Sequence, residues 1–452
     1  MTGMKKVSIL ALALLLVVSS TFAQGTKEAS AAAGQVELTV LNYIDMSEPN
    51  SANEVAMVWD KFSAENPDIK VVREDLFNEP FHQKTEAYVA SGQLPDVLYM
   101  WPSGRSSSLH TTKSVKDLMP FLEKDGLVDS YNPATLVPQF AGFLGELPNG
   151  ITTTHMLYVN TKVLRENGLS MPKSYAEMKA MVAPLKAKGI DLIAMDNMDA
   201  WVMQSCLFSM VVGRFGGTDW YPRLEAGKIN FNDAWFINSL SLIGDMYASE
   251  MIKRNSLTSP YGSSRGRFAS GKAAFYIDGD WSTAAFQTDI TTGQALISRN
   301  AQASDFEMIV LPAIPGEVIS NSNSGVVGTG FGMSANLASG SAKEAAAWRL
   351  IKFLQGEYVQ TYRLSTGASF PSNLNVDVAK VVKEANLEPF VAKRAAYYEK
   401  YNTITPVIDG VLAGDVYNVI NTGLQEIGLG KKTPVQVGQD VQKAWETWKA
   451  NK

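Results

Sequence analysis

The segment at residues 268–281, FASGKAAFYIDGDW, combines two carboxylates and an indole in one short polar turn. Its middle, AAFYI, predicts a buried strand, and the turn that follows carries Asp278, Asp280 and Trp281. Turns at the carboxyl ends of strands often hold ligand-contacting groups in α/β proteins. Carboxylates accept hydrogen bonds from sugar hydroxyls, and an indole stacks on the C–H face of a pyranose. The segment therefore indicates a carbohydrate contact, although a solvated Asp-Gly turn beside a half-buried tryptophan fits the same residues.

Three other loops that follow predicted strands carry aromatic and polar side chains. Pro102 and Gly104 end the third strand, so the residues around them are expected on a loop. Arginine in such a loop is suited to bidentate contacts with hydroxyls or an acidic sugar group. Ordinary polar loops remain the alternative. The candidates are Tyr43 and Asp45 after the first strand, Trp101, Ser103 and Arg105 after the third, and Asn197, Asp199 and Trp201 after the strand ending near residue 195.

The elements that position these loops follow an α/β order. Strands predicted at 36–41, 69–72 and 96–100 alternate with helices, which predicts parallel strands joined by right-handed crossovers. The pattern then restarts with strands predicted at 156–159, 191–195, 273–277, 306–311 and 326–333. Residues 376–448 are predicted to be mostly helical.

The amino terminus predicts export. Lys5 and Lys6 precede an apolar run at 7–18, and small residues at 19–23 form a cleavage site, giving a signal peptide at 1–23. The run is shorter than the ~20 residues that span a bilayer. No cysteine lies near the cleavage site, so no lipid anchor is expected. Residues 24–35 contain few large apolar side chains and predict a flexible leader.

Composition excludes several function classes. Loss of Lys5 and Lys6 changes the formal charge from −5 to −7, and the chain has no basic block, so nucleic-acid binding is not expected. The single cysteine, Cys206, lies in an apolar run and predicts a buried, inert thiol. Three scattered histidines show no metal-ligand spacing, and each is expected at the surface or half-buried. No cofactor and no membrane-spanning helix are expected.

Six motifs in the same order resemble the family 1 extracellular solute-binding proteins, the maltose-binding-protein-like sugar receptors of ABC importers. The resemblance covers the chain from Val36 to Lys452. The motifs are NPDIKV at 66–71, SGQLPDV at 91–97, LYVNTKVL at 157–164, MPKSYAEM at 171–178, the segment at 268–281, and TGASFPS at 366–372.

The resemblance implies a two-lobed periplasmic-binding-protein-like (type II) fold whose lobes close on a sugar. The amino-terminal lobe is expected at 36–150 and 327–368, and the carboxyl-terminal lobe at 151–326 and 369–452, with three crossing segments as the hinge. The protein is expected to be a periplasmic monomer that delivers a carbohydrate, expected to be an oligosaccharide, to the membrane permease of an ABC transporter.

The same resemblance supports Asp280 and Trp281 as ligand contacts. The run GVVGTG at 325–330 lacks the full G-x-G-x-x-G spacing of a nucleotide loop, so Gly328 and Thr329 are expected to line the cleft instead. Phe370 in the crossover and Tyr417 in the last helical region complete the candidates, although helical register also allows Tyr417 a place in the core.

Two other function classes remain open. A secreted glycosidase also binds sugar with acids and aromatics, but it needs two carboxyl groups placed ~5–9 Å apart across the scissile bond. Asp278 and Asp280 are separated only by a glycine, and no hydrolase motif is present, so no enzyme activity is expected. A receptor for a non-sugar ligand, or a secreted adhesin, would use the same fold.

Overall fold

The protein forms two α/β lobes, each built on its own β-sheet. The computed structural model describes residues 34–101, 103–136, 142–384 and 386–451. The predicted signal peptide and the predicted leader as far as residue 33 lie outside the described residues.

The amino-terminal lobe contains a seven-stranded sheet with the order β10-β4-β9-β3-β1-β2, and β11 pairs with β9. β1 pairs in parallel with both β2 and β3, which confirms the predicted βαβαβ start. β3 and β4 both run antiparallel to β9. The strands are β1 (Val36–Tyr43), β2 (Ile69–Leu76), β3 (Val97–Met100), β4 (Glu146–Thr153), β9 (Asn323–Met333), β10 (Phe370–Pro371) and β11 (Ile404–Pro406).

The carboxyl-terminal lobe contains a four-stranded sheet with the order β6-β7-β5-β8. β5 runs antiparallel to β7 and β8, and β6 runs parallel to β7. The strands are β5 (Met156–Asn160), β6 (Asp191–Ala194), β7 (Ala273–Asp278) and β8 (Phe306–Ile309).

Helices cover both faces of each sheet. Those in the part of the chain that forms the first sheet are Ser51–Glu54, Lys61–Glu65, Glu79–Ser91, Ser107–Thr111, Met119–Asp125, Ala342–Leu354 and Glu357–Ser365, with a π-helical turn at Val55–Asp60. The others are Thr161–Glu166, Tyr175–Ala180, Val182–Lys186, Trp201–Met203, Ser209–Gly216, Trp220–Glu225, Ala234–Ala248, Arg265–Ala269, Ser282–Ala285, Arg299–Ser304, Val378–Glu384, Pro389–Lys400, Ile408–Val411, Gly414–Leu429 and Pro434–Ala450. A second π-helical turn occupies Gln204–Phe208, and 3₁₀ turns occupy Ser103–Ser106, Val128–Ser130, Pro133–Thr135 and Arg254–Thr258.

Strand alternation explains why each sheet is covered on both faces. In β1, Leu38 and Val40 enter one apolar cluster while Leu41 enters another on the opposite face. In β5, Leu157 and Val159 pack on one side and Tyr158 on the other. Strands buried on both faces have continuous apolar runs, and such runs predict strands from the sequence alone.

The chain after β10 returns to the carboxyl-terminal lobe. Val416 and Ile420 of one helix, and Val441 and Trp445 of the last, belong to the core of that lobe. This confirms the predicted two-lobed α/β fold with a largely helical carboxyl-terminal portion, interrupted by β11.

Extended backbone passes between the lobes along β4 and β9. Their pairing is irregular on either side of Gly150. A Cβ at Gly150 would lie 2.0 Å from the carbonyl oxygen of Phe370, so only glycine allows β10 to approach this closely.

Two of the three histidines are more deeply buried than predicted. His110 and His155 are both 0% exposed, while His82 is half-buried. The ring of His155 contacts the Cys206 carbonyl oxygen at 2.6 Å and accepts a hydrogen bond from the Leu311 amide at 3.0 Å, so burial satisfies both nitrogens. Cys206 is buried, as predicted.

Candidate ligand-binding cleft

A cavity of about 300 Å³ lies between the two lobes. It is lined by the ends of strands from both sheets, by the crossing strands, and by the segment before β10. Its polar and aromatic lining residues include Tyr43, Asp45, Glu48, Glu54, Phe77, Asn78, His82, Tyr99, Trp101, Arg105, Asn149, Thr152, Thr154, Trp201, Tyr261, Arg265, Trp281, Gln287, Thr329, Arg363, Ser369 and Asp409.

The amino-terminal lobe contributes an aromatic wall. The parallel pairing of β1 with β2 and β3 brings their carboxyl ends to one edge, where Tyr43 and Trp101 lie edge to face at 4.4 Å between ring centroids. Tyr43 also stacks on Tyr99 at 5.6 Å and contacts Phe77 at 5.1 Å. The His82 ring lies 4.9 Å from Trp101, and burial lowers the pKa of His82 to about 3, so the ring is neutral.

The carboxyl-terminal lobe contributes a second aromatic wall. Trp281 donates a hydrogen bond from Nε1 to the Tyr261 hydroxyl at 2.6 Å, and Trp201 packs 5.1 Å from Tyr261 and 6.1 Å from Trp281. Gly279 makes this wall possible, because a Cβ there would lie 2.2 Å from the indole of Trp281. The two walls face one cavity, an arrangement that suits a ligand with apolar faces and polar edges.

Each arginine that lines the cavity has a carboxylate partner. Arg105 Nε donates to Asp409 at 3.0 Å. Burial alone would lower the pKa of Arg105, but Asp409 and its neighbours outweigh burial and raise it. The other two pairs are Arg265 with Glu48, and Arg363 with Glu54 at 3.1 Å. The cavity therefore offers hydrogen-bonding groups but no uncompensated positive charge.

Two asparagines of the amino-terminal lobe connect the lobes across the cleft mouth. Asn50 donates to the Thr288 carbonyl oxygen at 3.1 Å and accepts from the Ile290 amide at 2.9 Å. Asn78 donates to Asp199 at 3.2 Å and accepts from Trp201 Nε1 at 3.1 Å.

Both asparagines have a positive φ, 65° for Asn50 and 56° for Asn78. Asn50, with a ψ of 5°, is in the left-handed region that asparagine enters more readily than most residues, whereas the ψ of Asn78, −144°, lies outside that region. Together with the Glu48–Arg265 ion pair, their contacts hold the lobes in a closed arrangement.

Seven of the sequence-predicted ligand residues line this cavity. They come from both lobes and from the crossing strand β9. They are Tyr43, Asp45, Trp101, Arg105, Trp201, Trp281 and Thr329.

Three predicted ligand contacts are instead buried, and their polar groups are hydrogen-bonded to other residues of the protein. Asp280 is 0% exposed and pairs with Arg394 at 2.8 Å. Asp278, 1% exposed, accepts hydrogen bonds from the hydroxyls of Tyr261 and Tyr276 at 3.1 and 2.7 Å.

Asn197, 0% exposed, donates to the hydroxyls of Tyr247 and Ser256, both at 3.1 Å. None of the three lines the cavity. In this structure the lobe uses these polar groups to fix its own loops, whereas the sequence predicted them as ligand contacts.

Three others lie near the cavity without lining it. Asp199 borders an outer cavity at the cleft mouth. Phe370 stacks on Tyr398 at 4.6 Å. Tyr417 lies beneath the Arg105 guanidinium, 5.8 Å from ring centroid to Cζ, and supports that arginine. Ser103 and Gly328 lie outside the residues whose side chains the structure describes.

Sequence reasoning missed several lining residues. β2 extends to Leu76, four residues past its predicted end, so Phe77 and Asn78 directly follow a strand, as the predicted cleft loops do. Tyr261 and Arg265 follow no strand directly, and no local pattern distinguishes them from an ordinary polar turn.

A family model described as "Bacterial extracellular solute-binding protein" matches residues 47–361, well over half of the chain. The chain belongs to this family. Among curated relatives, sn-glycerol-3-phosphate-binding periplasmic proteins match at low identity. The Yersinia pseudotuberculosis protein is 25% identical over 236 residues, covering 47% of this chain and 51% of the relative. The Escherichia coli K12 protein is 24% identical over 231 residues, covering 46% and 50%. The chain spans about half the length of the curated relatives it matches.

Solved structures share the fold over nearly the whole chain. A protein from a study of xylan utilization by the thermophilic bacterium Caldanaerobius polysaccharolyticus superimposes with a TM-score of 0.79 at 20% identity, covering 90% of this chain and 99% of that one. A chitin oligosaccharide binding protein gives 0.77 at 19% identity, covering 91% and 98%. Maltose-bound MalE3 of T. maritima gives 0.72 at 18% identity, covering 91% and 100%.

The described ranges lack two further kinds of feature. They contain no group of three or more side chains placed to hold a metal ion. None of their helices has both the length and the apolar character that a membrane crossing requires.

Proposed function

We propose that this protein is the substrate-binding component of an ABC importer and that it captures a neutral carbohydrate, an oligosaccharide, between its lobes. The observation that carries this proposal is the pair of aromatic walls, Tyr43 and Trp101 on one lobe and Trp201 and Trp281 on the other, facing one cavity of about 300 Å³. Aromatic rings on two sides bind the apolar faces of sugar rings, while amides and hydroxyls between them bind the edges.

The charge distribution favours a neutral ligand over a phosphate. The curated relatives are named for binding sn-glycerol 3-phosphate, whose phosphate group carries a negative charge that positively charged groups must balance. Here Arg105, Arg265 and Arg363 each pair with a carboxylate, and Asp45 adds a further negative charge. A phosphate in this cavity would have to compete with these carboxylates for the arginines.

The carboxylates also disfavour a glycosidase. Asp278 and Asp280 are buried outside the cavity and already hydrogen-bonded. Of the carboxylates that line the cavity, Glu48, Glu54 and Asp409 are paired with arginines. A general acid must be free to exchange its proton with the leaving group, so we propose binding without catalysis.

The remaining parts of the proposal follow from the sequence. The signal peptide at 1–23 exports the chain to the periplasm, where it acts as a monomer and docks its permease in the closed form. We assign the amino-terminal lobe to 36–150 and 327–368 and the carboxyl-terminal lobe to 151–326 and 369–452. The strands that pass between the lobes support this division.

The test is calorimetric titration and thermal shift of the mature protein with maltotriose, xylotriose, chitotriose and sn-glycerol 3-phosphate. At least one trisaccharide should bind saturably, and at a hundred times its Kd it should stabilise the protein by ~2.7 kcal/mol. Glycerol 3-phosphate should produce no shift. Binding of glycerol 3-phosphate with no response to any saccharide would refute the proposal.

A further inference from the structure

At Gly104 two segments of backbone approach each other more closely than any residue with a side chain would allow. A Cβ at this position would lie 2.1 Å from the carbonyl oxygen of Asp409 and 2.2 Å from that of Leu412. The φ of Gly104 is not positive, so its backbone conformation is open to other residues. The distance to these two carbonyls is therefore what requires a glycine here.

The two segments in contact belong to different lobes. Gly104 lies between Met100 and Leu109, which pack in an apolar cluster on the first sheet. Ile408 and Leu412 belong to the core of the carboxyl-terminal lobe. The contact at Gly104 therefore joins the lobes.

Each segment is anchored within its own lobe. Oγ of Ser106 accepts a hydrogen bond from the Trp101 amide at 3.1 Å, and the His110 ring contacts the Ser106 carbonyl oxygen at 2.9 Å. In the other lobe, the Ile408 amide donates to Ser209 Oγ at 3.1 Å. Neither segment can retreat from an added side chain without breaking contacts of its own lobe. The lobes themselves would have to stay further apart.

Arg105, the next residue along the chain, reaches across the same contact. Its Nε donates to Asp409 at 3.0 Å, and its Cζ lies 5.8 Å from the ring centroid of Tyr417. The Arg105 and Asp409 side chains both line the cavity. The backbone approach at Gly104 thus sets the distance between a cavity-lining arginine and its partner carboxylate in the other lobe.

We propose that Gly104 is a positioning residue for ligand capture, because its contact with the carbonyls of Asp409 and Leu412 sets how far the lobes close. This inference rests on the proposed function. A ligand held between two walls makes its full set of contacts only when both walls reach it. A methyl group at position 104 would keep the lobes about 1 Å further apart, and a gap of that size forfeits about a quarter to a half of the attraction between atoms in contact.

Three glycine-to-alanine variants form a matched set for the test. Gly104→Ala introduces the clash between the lobes. Gly330→Ala would place a Cβ 1.8 Å from the Leu147 carbonyl oxygen, but these residues lie in the paired strands β9 and β4 of the first sheet, so this clash is within one lobe. Gly244→Ala, inside the helix Ala234–Ala248, would place a Cβ 3.5 Å from the Ile427 side chain, which is an ordinary van der Waals contact.

Titration with maltotriose, xylotriose and chitotriose should show Gly104→Ala binding about tenfold more weakly than wild type. Its ligand-free urea midpoint should equal that of wild type, because the packing within each lobe is untouched. Gly330→Ala should instead lower the urea midpoint, and Gly244→Ala should lower neither the midpoint nor the affinity. Small-angle scattering at saturating saccharide should give a larger radius of gyration for Gly104→Ala than for wild type.

Wild-type affinity in Gly104→Ala, or a wild-type radius of gyration of its saccharide complex, would overturn the inference and leave the proposed function intact. A fall in its urea midpoint as large as that of Gly330→Ala would also overturn it, because the weaker binding would then follow from damage to the fold. Failure of all three saccharides to bind the wild type would overturn the proposed function, and this inference with it.

Discussion

Replacing Asp280 with asparagine is expected to destabilise the carboxyl-terminal lobe rather than remove a ligand contact. Asp280 and Arg394 are 0% and 3% exposed, and Arg394 donates to the carboxylate from Nη2 at 2.8 Å and from Nε at 3.2 Å. The Tyr398 hydroxyl also donates to it. Burial alone would lower the pKa of Arg394, but the Asp280 charge outweighs burial and raises it. The substitution removes that compensation, yet the ordinary pKa of arginine lies so far above neutral that the guanidinium stays charged.

The magnitude follows from the unpaired charge that remains. Breaking a buried ion pair by removing one partner costs ~3–5 kcal/mol, which is a large part of the stability of a typical domain. Urea unfolding followed by tryptophan fluorescence measures the change. Asp45→Asn is the control, because Asp45 lines the cavity and its carboxylate accepts local hydrogen bonds from the Ser47 amide and hydroxyl.

A double variant isolates the pair itself. Asp280→Asn combined with Arg394→Met leaves no buried unpaired charge. The double variant should therefore lose less free energy of unfolding than the two single variants lose in sum. A free energy of unfolding of Asp280→Asn within ~0.5 kcal/mol of the wild-type value, together with a lower saccharide affinity, would refute the structural role. It would show instead that Asp280 contacts the ligand.

Two further predictions concern the closed arrangement and acid stability. Asn78→Gly keeps a residue suited to positive φ but removes the contacts to Asp199 and Trp201, so saccharide affinity should fall about tenfold. Small-angle scattering of the ligand-free variant should show a larger radius of gyration, and an unchanged profile would contradict this role. Burial lowers the pKa of His155 to about 3, below the ~6.5 of the unfolded chain. Its contribution to stability is therefore complete above pH ~6.5 and is lost as the pH falls toward 3, by at most ~1.4 kcal/mol per pH unit. The midpoint of urea unfolding should fall less between pH 7 and pH 5 in His155→Gln than in wild type. An equal fall in both proteins would show that other groups account for the acid destabilisation.

The sequence predicted features that depend on local pattern. Apolar runs and strand-end loops located β1 and β3, and with them Tyr43 and Trp101. The end of β2 was missed because VREDL places charged residues on a strand whose last residues are only half-buried.

Features that depend on distant partners could not be predicted in this way. From its local sequence, Asp280 is suited to bind a sugar hydroxyl. In the folded protein its partner is Arg394, 114 residues further along the chain, which no local pattern indicates. The left-handed backbone of Asn50 and its contacts with Thr288 and Ile290 likewise depend on how the lobes meet.

The irregular pairing around Gly150 has a mechanical consequence. Because β4 and β9 remain hydrogen-bonded on both sides of it, the lobes are joined by a paired ribbon rather than by single flexible chains. Relative motion then requires a change in ribbon twist at the point where the ladder is already interrupted. The stiffness of this ribbon adds directly to the free-energy difference between the open and closed forms, so substitutions far from the cavity can tune affinity without touching the ligand.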